Sequence, residues 1–231
     1  MADRRLAFLR ELERADEAVA AVLTELEELY ADCERVRTRA LELEAFLARL
    51  PASREAAATA QAESRRAAEE ARATVQAAEE ELRAADTAGD DEGIAAARRF
   101  VLRARDALGI AERRAAAAVE EVARLERETE AAAHEEGILS ERSRELATAL
   151  AERPRLATEA GAAPEPGLAG IADWGTRARA ALLVARGQLA AERDAVVRQA
   201  NELGTLVLGE PLTATSAAGV ARRVERELET G

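Results

Sequence analysis

"AADTAGDDEGIAAARRF", residues 84–100, is the segment on which the fold turns. On both sides of it apolar residues recur in steps of four and three; inside it that beat fails. Upstream, the series runs Phe8, Leu12, Ala15, Val19, Val22, Leu26, Leu29, Cys33, Val36, Ala40, Leu43, Leu47 and Leu50. None of these is charged, which is the mark of a sustained heptad seam. Pro51 then removes a backbone donor and reads locally as a helix stop. Yet the phase carries across it through Ala57, Ala68, Ala71, Val75, Ala78, Leu82 and Ala85. A loop has no reason to preserve phase, so Pro51 is expected to kink one helix over about residues 4–87, with a short local break as the alternative. Arg54, Gln61 and Ser64, in phase but polar, predict a loosely packed stretch just after it.

Within the quoted segment, Gly89 and Glu92 fall where apolar residues are due. A new beat starts at Ile94 and runs through Ala97, Val101, Ala104, Leu108, Ala111, Val122, Leu125, Ala132, Leu139, Ser143, Leu146 and Leu150. Gly89 suits the residue just past a helix end, where positive φ is needed. Asp90 and Asp91 suit the start of the next helix, as a cap and as charges facing its dipole. A phase break with capping chemistry on both sides is a chain reversal, with the tip at 86–93. Antiparallel pairing about it sets residue n against roughly residue 179 − n, alanine-rich run facing alanine-rich run. Glu79 with Arg83, and Glu120 with Arg124, are spaced to pair along the outer helix faces.

A calcium loop begun at Asp86 would need an acid or amide at 88, glycine at 91 and glutamate at 97. Those positions hold Ala88, Asp91 and Ala97. "HEEGI" at 134–138 has Ile138 where a zinc helix needs its second histidine, and "GTLVLGEP" at 204–211 lacks the lysine and hydroxyl of a phosphate loop. Cys33 sits on the seam with no histidine near it in sequence, so packing is its expected role. No catalytic residue, cofactor or metal is expected.

The second half adds a smaller helical part. "ERPRLATEAGAAPEPGLAGIAD", residues 152–173, is rich in proline, glycine and alanine and is expected to be a flexible linker over 153–171. A third helix is expected from about Ala172 to Val207, with Leu182, Ala185, Leu189, Val196, Leu203 and Leu206 on one side. Gly209 and Pro211 end it, Thr215 or Ser216 caps the next, and Val220, Val224 and Leu228 line the last helix. The hairpin arm is thus 31–152. The first helix overhangs its partner over 1–30 and forms a base with the C-terminal helices of 172–231. Besides its seam the overhang carries Leu9, Leu23 and Tyr30 in a flanking column, a stripe wide enough for more than one partner. Trp174, the one tryptophan, either anchors the third helix to the base or serves as a partner hot spot. Phe8, Leu9, Leu23, Tyr30 and Trp174 are therefore the candidate interface, and a homodimer through the base is the expected assembly.

Composition agrees with this shape. Of 231 residues 34% are charged and only 2% aromatic, too few bulky side chains for a thick core but enough for helix seams. Arginine without any lysine points to a GC-rich, bacterial genome. The net charge of −12 argues against nucleic acid and anionic membrane as partners, leaving other proteins. Arg222, Arg223 and Arg226 interleave with Glu225 and Glu227 as a charged helix end. A single cysteine permits no internal disulfide, and no apolar run reaches the ~20 residues of a membrane span. A cytoplasmic protein is expected.

Two resemblances follow from these residues. The heptads and composition of the whole chain resemble the coiled-coil arms of bacterial SMC-type proteins, without an ATPase head. That likeness implies a non-enzymatic spacer, scaffold or adaptor. "DDEGIAAARRFVLRA", residues 90–104, is similar to the hairpin of the phage-shock-protein A family, which implies as the alternative a self-assembling, membrane-associated hairpin.

Overall fold

The computed structural model describes residues 2–153 and 160–230. Among them are the helices α1 (Ala2–Ala88), α2 (Asp91–Ala151), α3 (Leu168–Leu208) and α4 (Ala217–Thr230). α1 and α2 pack closely as a helical hairpin, and the fold is all-α. α1 is unbroken through Pro51, so the alternative of a local break there does not hold. The tip follows its capping chemistry. Gly89 adopts φ 64°, and the Asp90 amide donates to the Ala85 carbonyl at 3.2 Å. Asp90 Oδ1 then accepts from the Gly93 amide at 3.0 Å, which makes Asp90 the N-cap of α2.

The chain forms two compact units. One is Leu43–Glu135. Its seam is small-residue packing: Val75 and Ala78 bury against Val101 and Ala104, flanked by Leu82 and Leu108. Leu50, Ala57 and Leu125 form a second cluster, flanked by Phe46, Leu47 and Val122. Alanines contribute little burial each but let the axes approach closely. Gln61 and Ser64 stay half-buried and Arg54 exposed, which leaves a shallow groove along Ala58, Gln61, Ala62, Ala115, Ala116 and Val119. Arg72 Nη2 meets Glu112 Oε1 at 2.9 Å and Arg105 Nη2 meets Glu79 Oε1 at 2.6 Å, both across the hairpin. These partners lie within about a turn and a half of the expected register. Glu79 hydrogen-bonds Arg105 on α2, with the expected charge of Arg83 also acting on it, and Arg124 takes Glu121 and Glu128 rather than the expected Glu120. The Arg105 hydrogen bond holds the Glu79 carboxyl below its ordinary range.

The other unit comprises residues 1–42 and 136–231. Here the seam of α1 from Leu26 through Cys33, Val36 and Ala40 is buried, as are Leu139, Ser143, Leu146 and Leu150 of α2. Arg142 Nη2 reaches Asp32 Oδ2 at 3.0 Å, and Arg153 Nη2 reaches Glu25 Oε2 at 3.0 Å as α2 ends. α3 runs antiparallel along α1. Arg179 Nε lies 2.8 Å from Glu34 Oε2, Arg186 Nη2 2.7 Å from Glu27 Oε1, and Arg193 Nε 2.7 Å from Asp16 Oδ1. At the far end Arg5 donates to the Leu206 carbonyl at 3.4 Å. Gly175 lets the two backbones close up, since a Cβ there would sit 2.8 Å from Cβ of Arg37.

The base differs from expectation in where α3 starts and in which residues it buries. α3 starts at Leu168, so residues 168–171 of the expected linker 153–171 are helical. Gly167, at φ 89°, takes a conformation open to glycine alone, and Leu168, Ile171 and Ala172 bury at once. Of that linker, 154–159 lie outside the described residues, while Ala160 is fully buried. Leu206, expected inside, is 68% exposed, because the buried face of α3 turns to Ala200 and Gly204, where α4 packs. Leu228 is likewise exposed at the end of α4.

Candidate functional site

The chemistry most concentrated in one place lies where α4 meets α1 and α3. Leu9 and Leu12 of α1 form a core with Ala200, Ala217, Val220 and Val224, flanked by Leu6, Val196, Leu203 and Leu212. Into its edge α1 projects Asp16, 3% exposed and the most buried carboxylate among the described residues. Oδ1 accepts from Arg193 Nε at 2.7 Å, and Oδ2 accepts from the Ala217 amide at 2.9 Å. One side chain thus ties three helices, placing a negative charge against the positive end of the α4 dipole. Ser216 completes the cap, its Oγ accepting from the Gly219 amide at 3.1 Å. Asn201 holds the preceding loop on both sides: Nδ2 donates to the Ala214 carbonyl and Oδ1 accepts from the Ala214 amide, each at 2.9 Å. These contacts position backbone; each polar group has a donor or acceptor of its own.

The five candidate interface residues all belong to this unit, and they separate by exposure. Leu9 and Trp174 are 0% exposed. Leu9 is covered by α4 and α3, so it presents no surface to another molecule. Trp174 donates from Nε1 to the Ala160 carbonyl at 3.2 Å, which is the anchor reading rather than the hot-spot reading. Tyr30 is half-buried: Arg179 donates to its hydroxyl at 2.6 Å, with the guanidinium carbon 5.1 Å from the ring centroid. Leu23 is half-buried as well. Phe8 alone of the five is open, at 49%.

Phe8 does not stand alone on α1. Val22 is 38% exposed, Ala18 is exposed, and Ala15 and Val19 are half-buried. Phe8, Ala15, Val19 and Val22 continue the seam that α2 covers from Leu26 onward, with Ala18 beside it, while Leu12 of the same seam is buried by α3 and α4. The result is an apolar strip along the overhang, bordered by Arg4, Glu11 and Glu25, all exposed.

The seam thiol lies apart from this strip. Burial, with Asp32 beside it, pushes Cys33 up to about 11, so it stays protonated and un-nucleophilic at neutral pH. His134 is exposed and off the seam. Gly209 ends α3 at φ 74°, so "GTLVLGEP" is a helix terminus. Arg223 pairs with Glu210 at 2.8 Å and Arg222 donates to the Ala218 carbonyl, which fits a charged helix end. Among the described residues no group of three or more His, Cys, Asp and Glu side chains is placed to hold a metal ion, and no helix is long and apolar enough to cross a membrane. Comparison with protein-family models, with curated proteins and with solved structures finds no match for this chain.

Proposed function

We propose that the protein is a non-enzymatic helical scaffold or adaptor that presents its surface to other proteins and pairs with itself through the base. The observation that carries this reading is the strip on α1. Phe8, Ala15 and Val22 continue a heptad seam, with Ala18 beside it, and among the described residues Phe8, Ala18 and Val22 stay exposed. Exposed apolar strips of that kind mark interfaces. The buried polar side chains support a structural role too: Asp16 caps α4, and Ser143 Oγ donates to the Ser140 carbonyl at 2.9 Å. A protonated, buried single cysteine suits a reducing interior, hence the cytoplasm. The SMC-arm likeness points the same way.

Sedimentation velocity of the full chain at tens of micromolar tests the reading, with a dimer expected. Co-sedimentation with anionic vesicles should leave the protein in the supernatant. A monomer in the first assay overturns self-pairing. Pelleting with remodelled vesicles replaces the scaffold by the membrane-associated hairpin.

A further inference from the structure

We infer that the strip on α1 docks against the same strip of a second copy, antiparallel, about a two-fold axis beside Ala15. This rests on the self-pairing proposed above and specifies its surface and register. The first argument is continuity. From Leu26 onward the α1 seam is covered by α2; from Val22 back to Phe8 the same phase has Leu12 buried by α3 and α4, while Phe8 and Val22 stay exposed and Ala15 half-buried. What covers a heptad seam is another helix with a matching seam. The N-terminal stretch of a second α1 supplies one of equal length and spacing. The opposite flank of α1, with Leu9, Asp16, Leu23 and Tyr30, is already occupied by α3 and α4. Of the two flanks of the seam, the one bearing Arg4, Glu11, Ala18 and Glu25 is open among the described residues.

Occupancy and charge fix the direction. That open flank runs basic, acidic, small, acidic at seven-residue spacing. In a parallel pair this flank would have to face the opposite flank of the second copy, which α3 and α4 already occupy. In the antiparallel pair, flanking positions of one kind face each other in reversed order. Arg4 then meets Glu25 of the second copy, and Glu11 meets Ala18, each twice by symmetry. No carboxylate faces a carboxylate. Glu25 can take a second cation: its Oε2 is held by Arg153, but its side chain remains 58% exposed. Along the seam Phe8 packs toward Val19 of the second copy, and Ala15 lies beside the axis, where small side chains let two backbones approach. The seam is one helix wide and about three heptads long, below the ~1,600 Å² of a standard interface, so a micromolar, reversible dimer is expected.

Equilibrium sedimentation of the full chain and of surface variants tests this. Val22→Glu and Phe8→Glu replace exposed side chains, so each should fold with an unchanged circular dichroism melt. Each should weaken self-association by about tenfold or more, because a carboxylate is forced into an apolar seam. Arg4→Glu should weaken it by about fivefold through two repulsive pairs, and adding Glu25→Arg should restore it to within about threefold of wild type. A dimer that ignores Phe8→Glu and Val22→Glu shows self-pairing elsewhere and overturns this surface alone. Loss at those positions without rescue by the charge exchange overturns the antiparallel register. A wild-type chain that is monomeric overturns both this inference and the self-pairing beneath it.

Discussion

Asp16 offers the sharpest perturbation, because one carboxylate makes two charge-assisted hydrogen bonds at 3% exposure. Asp16→Ala removes both. A hydrogen bond to a charged group contributes about 1.5–3 kcal/mol, and loss of a helix cap costs about 1 kcal/mol. Part of this is recovered, since the Arg193 side chain is 38% exposed and can turn to water. A net loss of about 2–3 kcal/mol is expected, felt first in α4. Asp16→Asn should be nearly as costly: its amide can accept from Arg193 or from the Ala217 amide, but its NH2 then faces the other donor. Arg193→Ala leaves the carboxylate buried with a single donor and should cost a similar amount. If the pair acts as a unit, the double variant loses at least about 1 kcal/mol less than the two single losses added. Urea unfolding supplies these energies. Native-state hydrogen exchange supplies the location, with protection of amides 217–224 falling before that of the hairpin. Additive losses, or exchange in α4 that does not respond to Asp16→Ala, would refute the idea that this side chain docks α4.

Gly204→Ala should destabilise by about 1–3 kcal/mol through overpacking, as its Cβ would meet Leu212 Cδ1 and Val220 Cγ1 at 2.6 Å; thermal melts check it. Asp90→Ala should cost about 1 kcal/mol through the lost cap of α2, with a melting temperature that calcium leaves unchanged in both forms. A calcium-dependent rise confined to wild type would restore the metal-loop reading. Cys33 gives a pH dependence of definite sign. Its folded thiol titrates near 11 against an ordinary 9.0, so its stabilisation is complete below pH 9 and declines as pH rises toward 11. Cys33→Ala should flatten that alkaline decline, by up to about 2–3 kcal/mol at its end, when unfolding energies are compared from pH 8 to 11.

How legible these features were in the sequence depends on how local their causes are. The hairpin was readable because a coiled-coil seam is one-dimensional: phase, break and cap all lie within a few residues of each other. Gly89 and Asp90 carry the reversal by their own backbone chemistry, and the structure places them at the C-terminal end of α1 and the N-cap of α2. The base was readable only as helices. Asp16 carries one local signal, an acid in a column otherwise made of Leu9, Leu23 and Tyr30 at seven-residue spacing. Its two partners lie 177 and 201 residues away, and nothing local announces them.

Phe8 and Leu9 show the physical reason most directly. Periodicity put Phe8 on the principal seam and Leu9 on its flank, yet Phe8 is 49% exposed and Leu9 is fully buried. A heptad pattern states which side chains share a face; it does not state where the helix that covers that face runs out. α2 stops at Ala151, with Arg153 beside Glu25, so over residues 8–22 α2 no longer covers the main seam. α3 and α4 approach from the flank instead and take Leu9, Leu12 and Asp16 with them. Burial thus passes from one face of α1 to the adjacent one within the same helix. Among the described residues of this stretch Phe8 and Val22 are the seam positions left exposed, and they are where the proposed second copy of α1 is expected to dock.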